Sequence, residues 1–250
     1  AAGHRPEHRR HRRIAIEQHA CHRTGDRHVD TVLGGQVAHG SDTAHTFGDV
    51  AEFGDDGIQR LALRQPQADP TVALFATCKR LESEGANPIA IPCNTAHAYV
   101  ERNHPHLSVP IVNMLTDTVR HIVDKYGQGT KVGLLATSGT VESRVYHEPA
   151  AGHLELITPA PEIQQMVMDA IYGAEGVKAG HTQGHCAELL RAAIAHLHGK
   201  GARVQILGCT ELPLIFAQTD QFEVGSAPTV SLVDPTDVLA KRCVQLARSA

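Results

Sequence analysis

The stretch that decides the fold is Ile89-Ala90-Ile91-Pro92-Cys93-Asn94-Thr95-Ala96-His97, a short apolar run that ends on a cysteine. A second stretch follows the same plan: Val204-Gln205-Ile206-Leu207-Gly208-Cys209-Thr210-Glu211-Leu212. In each, small polar residues and then a helical pattern follow the cysteine. This pattern predicts a strand, a tight turn and a helix N-terminus, twice. We call residues 92–97 the first cysteine turn and residues 208–213 the second cysteine turn.

A cysteine at such a turn lies near the positive end of a helix dipole and near unpaired backbone N–H groups. Both effects favour the thiolate over the thiol. One cysteine of this kind would indicate a nucleophile. Two in matching positions, Cys93 and Cys209, indicate a pair of acid/base groups that face each other across a cleft between two similar halves.

The composition is that of a soluble globular protein. The 250 residues are 42% hydrophobic and 20% charged, enough for one large domain or for two of about 100–130 residues. A net charge of −4 gives no electrostatic case for nucleic acid. No apolar run approaches the roughly 20 residues that span a bilayer, so we expect no membrane partner. The N-terminal arginines precede no apolar secretory run, which predicts a cytoplasmic protein with reduced cysteines.

Residues 1–66 differ from the rest of the chain. Arg and His crowd this stretch, and every lysine comes later, beginning at Lys79. The one strand-like piece, Val29 to Val37, carries Gly34-Gly35. We interpret residues 1–66 as a solvated or poorly ordered arm. A histidine-rich metal site or an arm for an anionic partner are the alternatives.

From about Asp69 onward, apolar periodicity alternates between the helix and strand periods. The predicted helices are 70–84, 96–103, 115–126, 141–147, 161–172, 181–198, 212–216 and 235–248. The predicted strands are 89–91, 109–112, 131–136, 154–157, 204–207 and 230–233. Such alternation implies an α/β fold with doubly wound parallel sheets. Ligands bind beyond the carboxyl ends of these strands, where both cysteine turns fall.

The two cysteine turns resemble the signature motifs of the aspartate/glutamate racemase family. Ala136-Thr137-Ser138-Gly139-Thr140 and the segment 171–180 resemble its aspartate racemase branch. The resemblance covers about Asp69 to the end of the chain. It implies two similar parallel-sheet lobes with the active site between them: residues 67–115 plus 223–250, and residues 116–222.

The resemblance also implies an activity, namely interconversion of L- and D-aspartate, or of glutamate, by Cys93 and Cys209 as a thiol/thiolate pair. No cofactor and no metal are expected. The partner is then a small acidic amino acid, and the family commonly forms homodimers. Glu211-Leu212 stands where glutamate racemases carry His and an aromatic residue, which favours aspartate or a broader substrate range.

By the same resemblance, Asn94, Thr95 and Thr210 bind the amino and α-carboxylate groups of the substrate. Lys178 matches the family lysine that pairs with the side-chain carboxylate, and Thr137 is a carboxylate contact. A solvated loop lysine is the alternative for Lys178, and a helix N-cap is the alternative for Thr137.

Other polar candidates have simpler interpretations. The helical cysteines Cys78, Cys186 and Cys243 are expected to be small core residues. His181 and His185 lack a third ligand in sequence, so we expect no metal there. His97 is expected either to orient the first cysteine or to cap its helix.

The N-terminal part departs from the family pattern. The family begins with an apolar strand that enters a Gly-Gly-Met type turn, and it has an arginine before the first cysteine. Gly34-Gly35 lacks the preceding buried strand, and Arg60 and Arg64 stand in a different context. One hypothesis is that residues 1–66 come from a shifted reading frame. The functional alternatives are a two-cysteine relative, such as a hydantoin racemase or maleate isomerase, and an inactive family member.

Overall fold

The computed structural model describes residues 13–16, 70–225 and 229–248. Val29 to Val37, Arg60 and Arg64 therefore lie outside the described residues. The helices α1–α9 of the described part are Thr71–Ser83, His97–Asn103, Met114–Tyr126, Ser138–Glu142, His147–Ala150, Pro161–Tyr172, His185–Gly199, Leu212–Ile215 and Pro235–Arg248. The strands β1–β8 are Arg13–Ile16, Ala86–Ala90, Ile111–Val112, Thr130–Leu135, Leu154–Ile157, Val204–Leu207, Thr219–Glu223 and Thr229–Val233.

The strands form two sheets, and the α/β class predicted from the sequence is confirmed. The smaller sheet has the order β1-β2-β3 and is parallel throughout. The larger sheet has the order β5-β4-β6-β8-β7, and only β7 runs antiparallel. Sequence periodicity missed β1 and β7, and β7 has no buried residue that would mark it as a strand.

The larger sheet is covered on both faces because its strands alternate between two cores. Leu135, Leu207 and Leu232 pack with helices α6 and α7. The preceding or following residues, Leu134, Ile206 and Val233, pack on the opposite face with α3 and with the loop that contains Tyr146.

The smaller sheet is organised in the same way. Helices α1 and α2 pack on one face of β2, through Ile89 and Ile91. Helix α9 packs on the other face, where Leu239 and Cys243 contact Ala90 and Val112. The last helix therefore packs on the smaller sheet, as the predicted division of the chain requires.

One part of that division is wrong. Strand β8 lies within the span 223–250 that we assigned to the first lobe, yet it pairs with β6 of the larger sheet. Ile206 and Val233 align in this pairing, so β8 completes the same apolar surface as β6. The chain crosses to the smaller sheet only at α9.

Two predicted helices differ from the structure by more than one residue at an end. The helix predicted at 181–198 begins only at His185, because Gly184 adopts a left-handed backbone with φ 71°. The helix predicted at 141–147 is replaced by the short α4 and α5, and Arg144 between them has φ 58°. Cys78, Cys186 and Cys243 are buried, as expected for core residues. None of the described helices combines the length and hydropathy that a membrane crossing needs.

Candidate active site

Each cysteine turn begins at the carboxyl end of the central strand of its sheet. Cys93 follows β2, which lies between β1 and β3, and Cys209 follows β6, which lies between β4 and β8. Leu135 of β4 aligns with Leu207 of β6. Thr137 and Cys209, two residues further on, therefore leave neighbouring strands at the same edge of the larger sheet, and strands lie about 5 Å apart.

The second cysteine turn lies close against β4, which requires glycine at position 208. The Gly208 backbone N–H donates to Leu135 O at 2.6 Å. A Cβ on Gly208 would lie 2.9 Å from Leu134 Cδ1, 3.0 Å from Ala136 Cβ and 3.2 Å from Leu135 O. The glycine thus sets how closely Cys209 approaches the Thr137 turn.

A cluster of three threonine hydroxyls links the first cysteine turn to the loop after β4. Thr95 Oγ1 lies 2.7 Å from Thr140 Oγ1 and 3.4 Å from Thr137 Oγ1. All three residues are buried. Thr137 also accepts from the Thr140 backbone N–H at 3.3 Å, so it is the N-cap of α4 as well as a member of this cluster. Thr140 ends the motif 136–140, but no feature of the sequence indicated that it belongs to the site.

A second contact joins the same two regions. The Tyr146 hydroxyl donates to Asn94 Oδ1 at 2.6 Å, and both residues are buried. Burial raises the pKa of Tyr146 well above its ordinary value, so the phenol keeps its proton. The sequence offered no signal for this contact, since Tyr146 stands in none of the motifs.

Around Cys209, the structure assembles a different group, which we call the glutamate cluster: Cys209, Thr210, Glu211 and Lys178. Lys178 Nζ donates to Glu211 Oε1 at 2.6 Å. Cys209 Sγ and the Thr210 hydroxyl donate to Glu211 Oε2 at 2.9 and 3.0 Å. A carboxylate can only accept in this contact, which favours the thiol form of Cys209 over the thiolate.

Glu211 is ionised within this cluster. Burial alone raises the pKa of its carboxyl, but the Lys178 ammonium and the hydrogen bonds from Cys209, Lys178 and Thr210 lower the pKa below its ordinary value. Lys178 is only 14% exposed, and it lies 5.4 Å from the ring centre of Tyr172. The alternative of a solvated loop lysine is therefore wrong. From the sequence, Glu211 indicated only which branch of the family the chain resembles, and no contact with Cys209 was predicted.

The charge at the second cysteine turn comes from these side chains more than from a helix. Helix α8 has only four residues, Leu212–Ile215. Because a helix dipole is the sum of aligned peptide dipoles, so short a helix contributes little. At Cys209, the effect of the helix dipole is accordingly smaller than the effect of the hydrogen bond to Glu211.

The first cysteine turn is held by backbone contacts. The Cys93 N–H donates to Ile91 O at 2.9 Å, and His97 Nε2 lies 3.2 Å from the same carbonyl oxygen. Burial lowers the pKa of His97 to about 4, against a smaller opposing effect of the hydrogen bond to Ile91. His97 is thus a neutral imidazole that supports the turn from the backbone side.

Within the described residues, no three or more His, Cys, Asp or Glu side chains are grouped so as to hold a metal ion. His181 and His185, the pair considered in sequence, are both exposed.

The site geometry and the fold point to one class of protein, and comparison with known proteins agrees. The model of the Asp/Glu/Hydantoin racemase family matches residues 31–243. The chain belongs to this family. The match begins before Asp69, where the sequence resemblance had begun, and so includes part of the stretch that we treated as atypical.

Individual relatives are distant. A broad-specificity amino-acid racemase of Bacillus subtilis is 26% identical over 172 residues, which are 69% of this chain and 70% of that protein. A glutamate racemase of Corynebacterium glutamicum is 29% identical over 170 residues, 66% of this chain and 58% of that protein. The crystal structure of an aspartate racemase homologue from Pyrococcus horikoshii superimposes with a TM-score of 0.60 at 26% identity. It covers 71% of this chain and 74% of that one.

Proposed function

We propose that this protein is an amino-acid racemase that inverts the α-carbon of an acidic amino acid, aspartate first, with Cys93 and Cys209 as its two acid/base groups. No cofactor takes part in this proposal. The two sheets correspond to two lobes, and the substrate binds where their cysteine turns meet.

The observation that best supports this proposal is the contact between the two halves of the site. Thr95, two residues after Cys93, lies 2.7 Å from Thr140 in α4, which the loop after β4 enters directly. That loop leaves the larger sheet beside Cys209, because β4 and β6 are paired neighbours. The first cysteine turn therefore contacts a segment that leaves the larger sheet next to Cys209, which supports one site shared by the two turns.

The chemistry follows from the two thiols. One cysteine, as thiolate, takes the α-proton from one face, and the other, as thiol, delivers a proton to the opposite face. The proton count of the pair is unchanged, and the roles are exchanged for the reverse reaction. The hydrogen bond from Cys209 to the Glu211 carboxylate supports Cys209 as the thiol. We assign Cys93 as the base in the first half of the reaction that starts from this state.

The hydroxyl and amide groups at the site have a separate role. Removal of the α-proton places negative charge on the α-carboxylate, and a preorganised hydrogen-bond donor at that position contributes about 3 kcal/mol. Asn94, Thr95 and Thr137 are the proposed donors. Thr210, whose hydroxyl donates to Glu211, is the proposed acceptor for the amino group of the substrate. Lys178 is the proposed partner of the side-chain carboxylate, which it would share with Glu211.

A second candidate is a racemase of broader specificity. Lys178 is already paired with Glu211 at 2.6 Å, so a distal carboxylate meets an ammonium whose charge is partly compensated. This favours a site that tolerates uncharged side chains, the activity named for the Bacillus subtilis relative.

The test is deuterium incorporation at the α-carbon in D₂O, measured by NMR with no added cofactor. L-aspartate and D-aspartate are compared with both enantiomers of glutamate, asparagine and alanine. Exchange with both aspartate enantiomers, faster than with alanine, supports the proposal. Equal exchange across the panel supports the broader racemase. Folded protein that exchanges no amino acid contradicts both.

A further inference from the structure

Tyr146 is the largest fully buried side chain in the described part of the chain, and its hydroxyl contacts the first cysteine turn. It precedes α5, far in sequence from Asn94, whose Oδ1 accepts its hydrogen bond at 2.6 Å. No sequence motif singled it out, and it does not itself carry a group suited to proton transfer at neutral pH.

This hydrogen bond runs from the tyrosine to the amide oxygen. Burial raises the pKa of Tyr146, and the nearby Asp234 charge raises it further, which outweighs a hydrogen bond with Thr118 that lowers it. The hydroxyl therefore keeps its proton. Thr118 Oγ1 donates to Met114 O at 2.7 Å, so its own proton is committed elsewhere. With the amide oxygen of Asn94 as the acceptor, the amide nitrogen lies on the opposite side of the group.

That nitrogen has no hydrogen-bond partner among the residues that the structure describes, although Asn94 is only 3% exposed. A buried amide donor without a partner is costly, and native structures seldom keep one without a reason. Its two N–H groups suit an acceptor with lone pairs, and a carboxylate accepts the stronger hydrogen bonds.

We propose that Tyr146 is a positioning residue that holds the Asn94 amide with its nitrogen toward the substrate, where Nδ2 donates to the α-carboxylate. This inference rests on the proposed function, since it takes the ligand to be an amino acid bound at the first cysteine turn. Without the Tyr146 hydroxyl, the amide is free to rotate and presents its oxygen to the carboxylate in part of the population.

The first experiment measures L-aspartate affinity by isothermal titration calorimetry. Tyr146→Phe removes only the hydroxyl, and the affinity is expected to fall roughly tenfold, the size of a hydrogen bond to a charged group. KM is expected to rise by the same factor, with kcat changed less than KM. The matched control is Tyr126→Phe, which loses a 2.6 Å hydrogen bond to exposed Asp220 and should bind as wild type does.

A double-mutant cycle separates positioning from general destabilisation. Asn94→Ala weakens binding by itself, and adding Tyr146→Phe to it is expected to weaken binding no further. If Tyr146→Phe has its full effect in the Asn94→Ala background, or none in the wild-type background, the proposal is overturned.

Asn94→Asp provides a route that leaves Tyr146 intact, in case Tyr146→Phe does not fold. The carboxylate keeps an acceptor for Tyr146 but replaces the donor nitrogen with an oxygen, so L-aspartate binding is expected to be lost. Wild-type affinity in Asn94→Asp would overturn the proposal.

Racemisation by the wild-type protein is measured separately. Protein that binds L-aspartate without racemising it contradicts the proposed function, and the affinities of the variants still decide the role of Tyr146. Wild-type protein that binds no aspartate contradicts both.

Discussion

The two cysteine turns have the same plan in sequence, but the groups around their sulfur atoms differ. Cys209 is buried and donates to a carboxylate that an ammonium compensates. Cys93 is more exposed, and its turn continues into neutral groups, Asn94 and Thr95, and into a histidine that burial keeps uncharged. The two turns, alike in sequence, therefore carry different groups after their cysteines: a charged pair of Glu211 and Lys178 at Cys209, and an amide, a hydroxyl and an uncharged imidazole after Cys93.

This difference teaches that matching motifs need not give interchangeable residues. A two-base reaction needs one thiol and one thiolate at any moment, and the protein must set which cysteine holds which form. Glu211, which the second turn has and the first lacks, places a carboxylate beside Cys209 and favours the thiol there. The predictions below test the contrast between the two turns in order of decreasing effect.

The largest effect is expected from removing either sulfur. Cys93→Ser and Cys209→Ser are each expected to lower the racemisation rate by about 10³-fold or more, because a hydroxyl is a far weaker acid and base than a thiol. Chiral chromatography of the product measures the rate. One-sided α-proton exchange is the most that either variant retains. Cys186→Ser is the control, since its buried thiol donates to His181 O and Gln183 O away from the cysteine turns. Full activity in either turn variant would sink the two-base mechanism.

Glu211→Gln should separate the two turns. This substitution removes the negative charge that lies beside Cys209 and Lys178, so kcat is expected to fall about 100-fold, within the range of an acid/base contribution. Steady-state kinetics with both aspartate enantiomers measure the change. Glu155→Gln, on the surface, is the control. An unchanged kcat would mean that the carboxylate does not support Cys209.

Lys178→Met is expected to have a smaller and more selective effect. The KM for aspartate should rise about tenfold, because a charge-assisted contact to the distal carboxylate is lost. Asparagine and alanine should be less affected. Lys131→Met is a matched control, because this lysine forms an exposed ion pair with Glu155 at 3.3 Å. Equal losses for all substrates would assign Lys178 a structural role alone.

The smallest effect concerns the free energy of unfolding and involves His97 in the first cysteine turn. The folded pKa of His97 is about 4, below its ordinary value of about 6.5. Between these values the unfolded chain binds a proton that the folded chain does not. The free energy of unfolding therefore rises from pH 4 to pH 6.5 and loses this dependence above it.

His97→Gln keeps a donor for Ile91 O without a titrating group, so the variant should flatten that part of the stability profile. Urea unfolding at pH 4.5 and pH 7 measures it. Exposed His153→Gln is the control and should leave the profile as in wild type. A profile that keeps its slope in His97→Gln would assign the titration to another residue.

Much of the fold could be predicted because apolar periodicity is a local property of the chain. The bounds predicted at 154–157, 161–172, 204–207 and 235–248 agree with the structure. Errors arose where a single backbone angle overrode the pattern, as at Gly184 and Arg144. They also arose where strand pairing supplied the stability, as in β7, which is held by β8 rather than by buried residues of its own.

The candidate site was predictable only in part. The motifs supplied Cys93, Asn94, Thr95, Cys209 and Thr210, since each lies in a turn that the sequence itself marks. Thr140 and Tyr146 join the site through contacts between residues far apart in the chain. The role of Glu211 depends on Lys178, which arrives from another loop.

The sequence by itself determined that two cysteines follow buried strands at matching turns, because hydrophobic alternation and turn chemistry act over a few neighbouring residues. Only the tertiary structure decided that the Glu211 carboxylate contacts both Cys209 and Lys178, and which amide a tyrosine holds. Those contacts depend on the order of strands in the sheets. They also depend on how closely Gly208 lets the second cysteine turn approach β4. Neither is a property of any short segment.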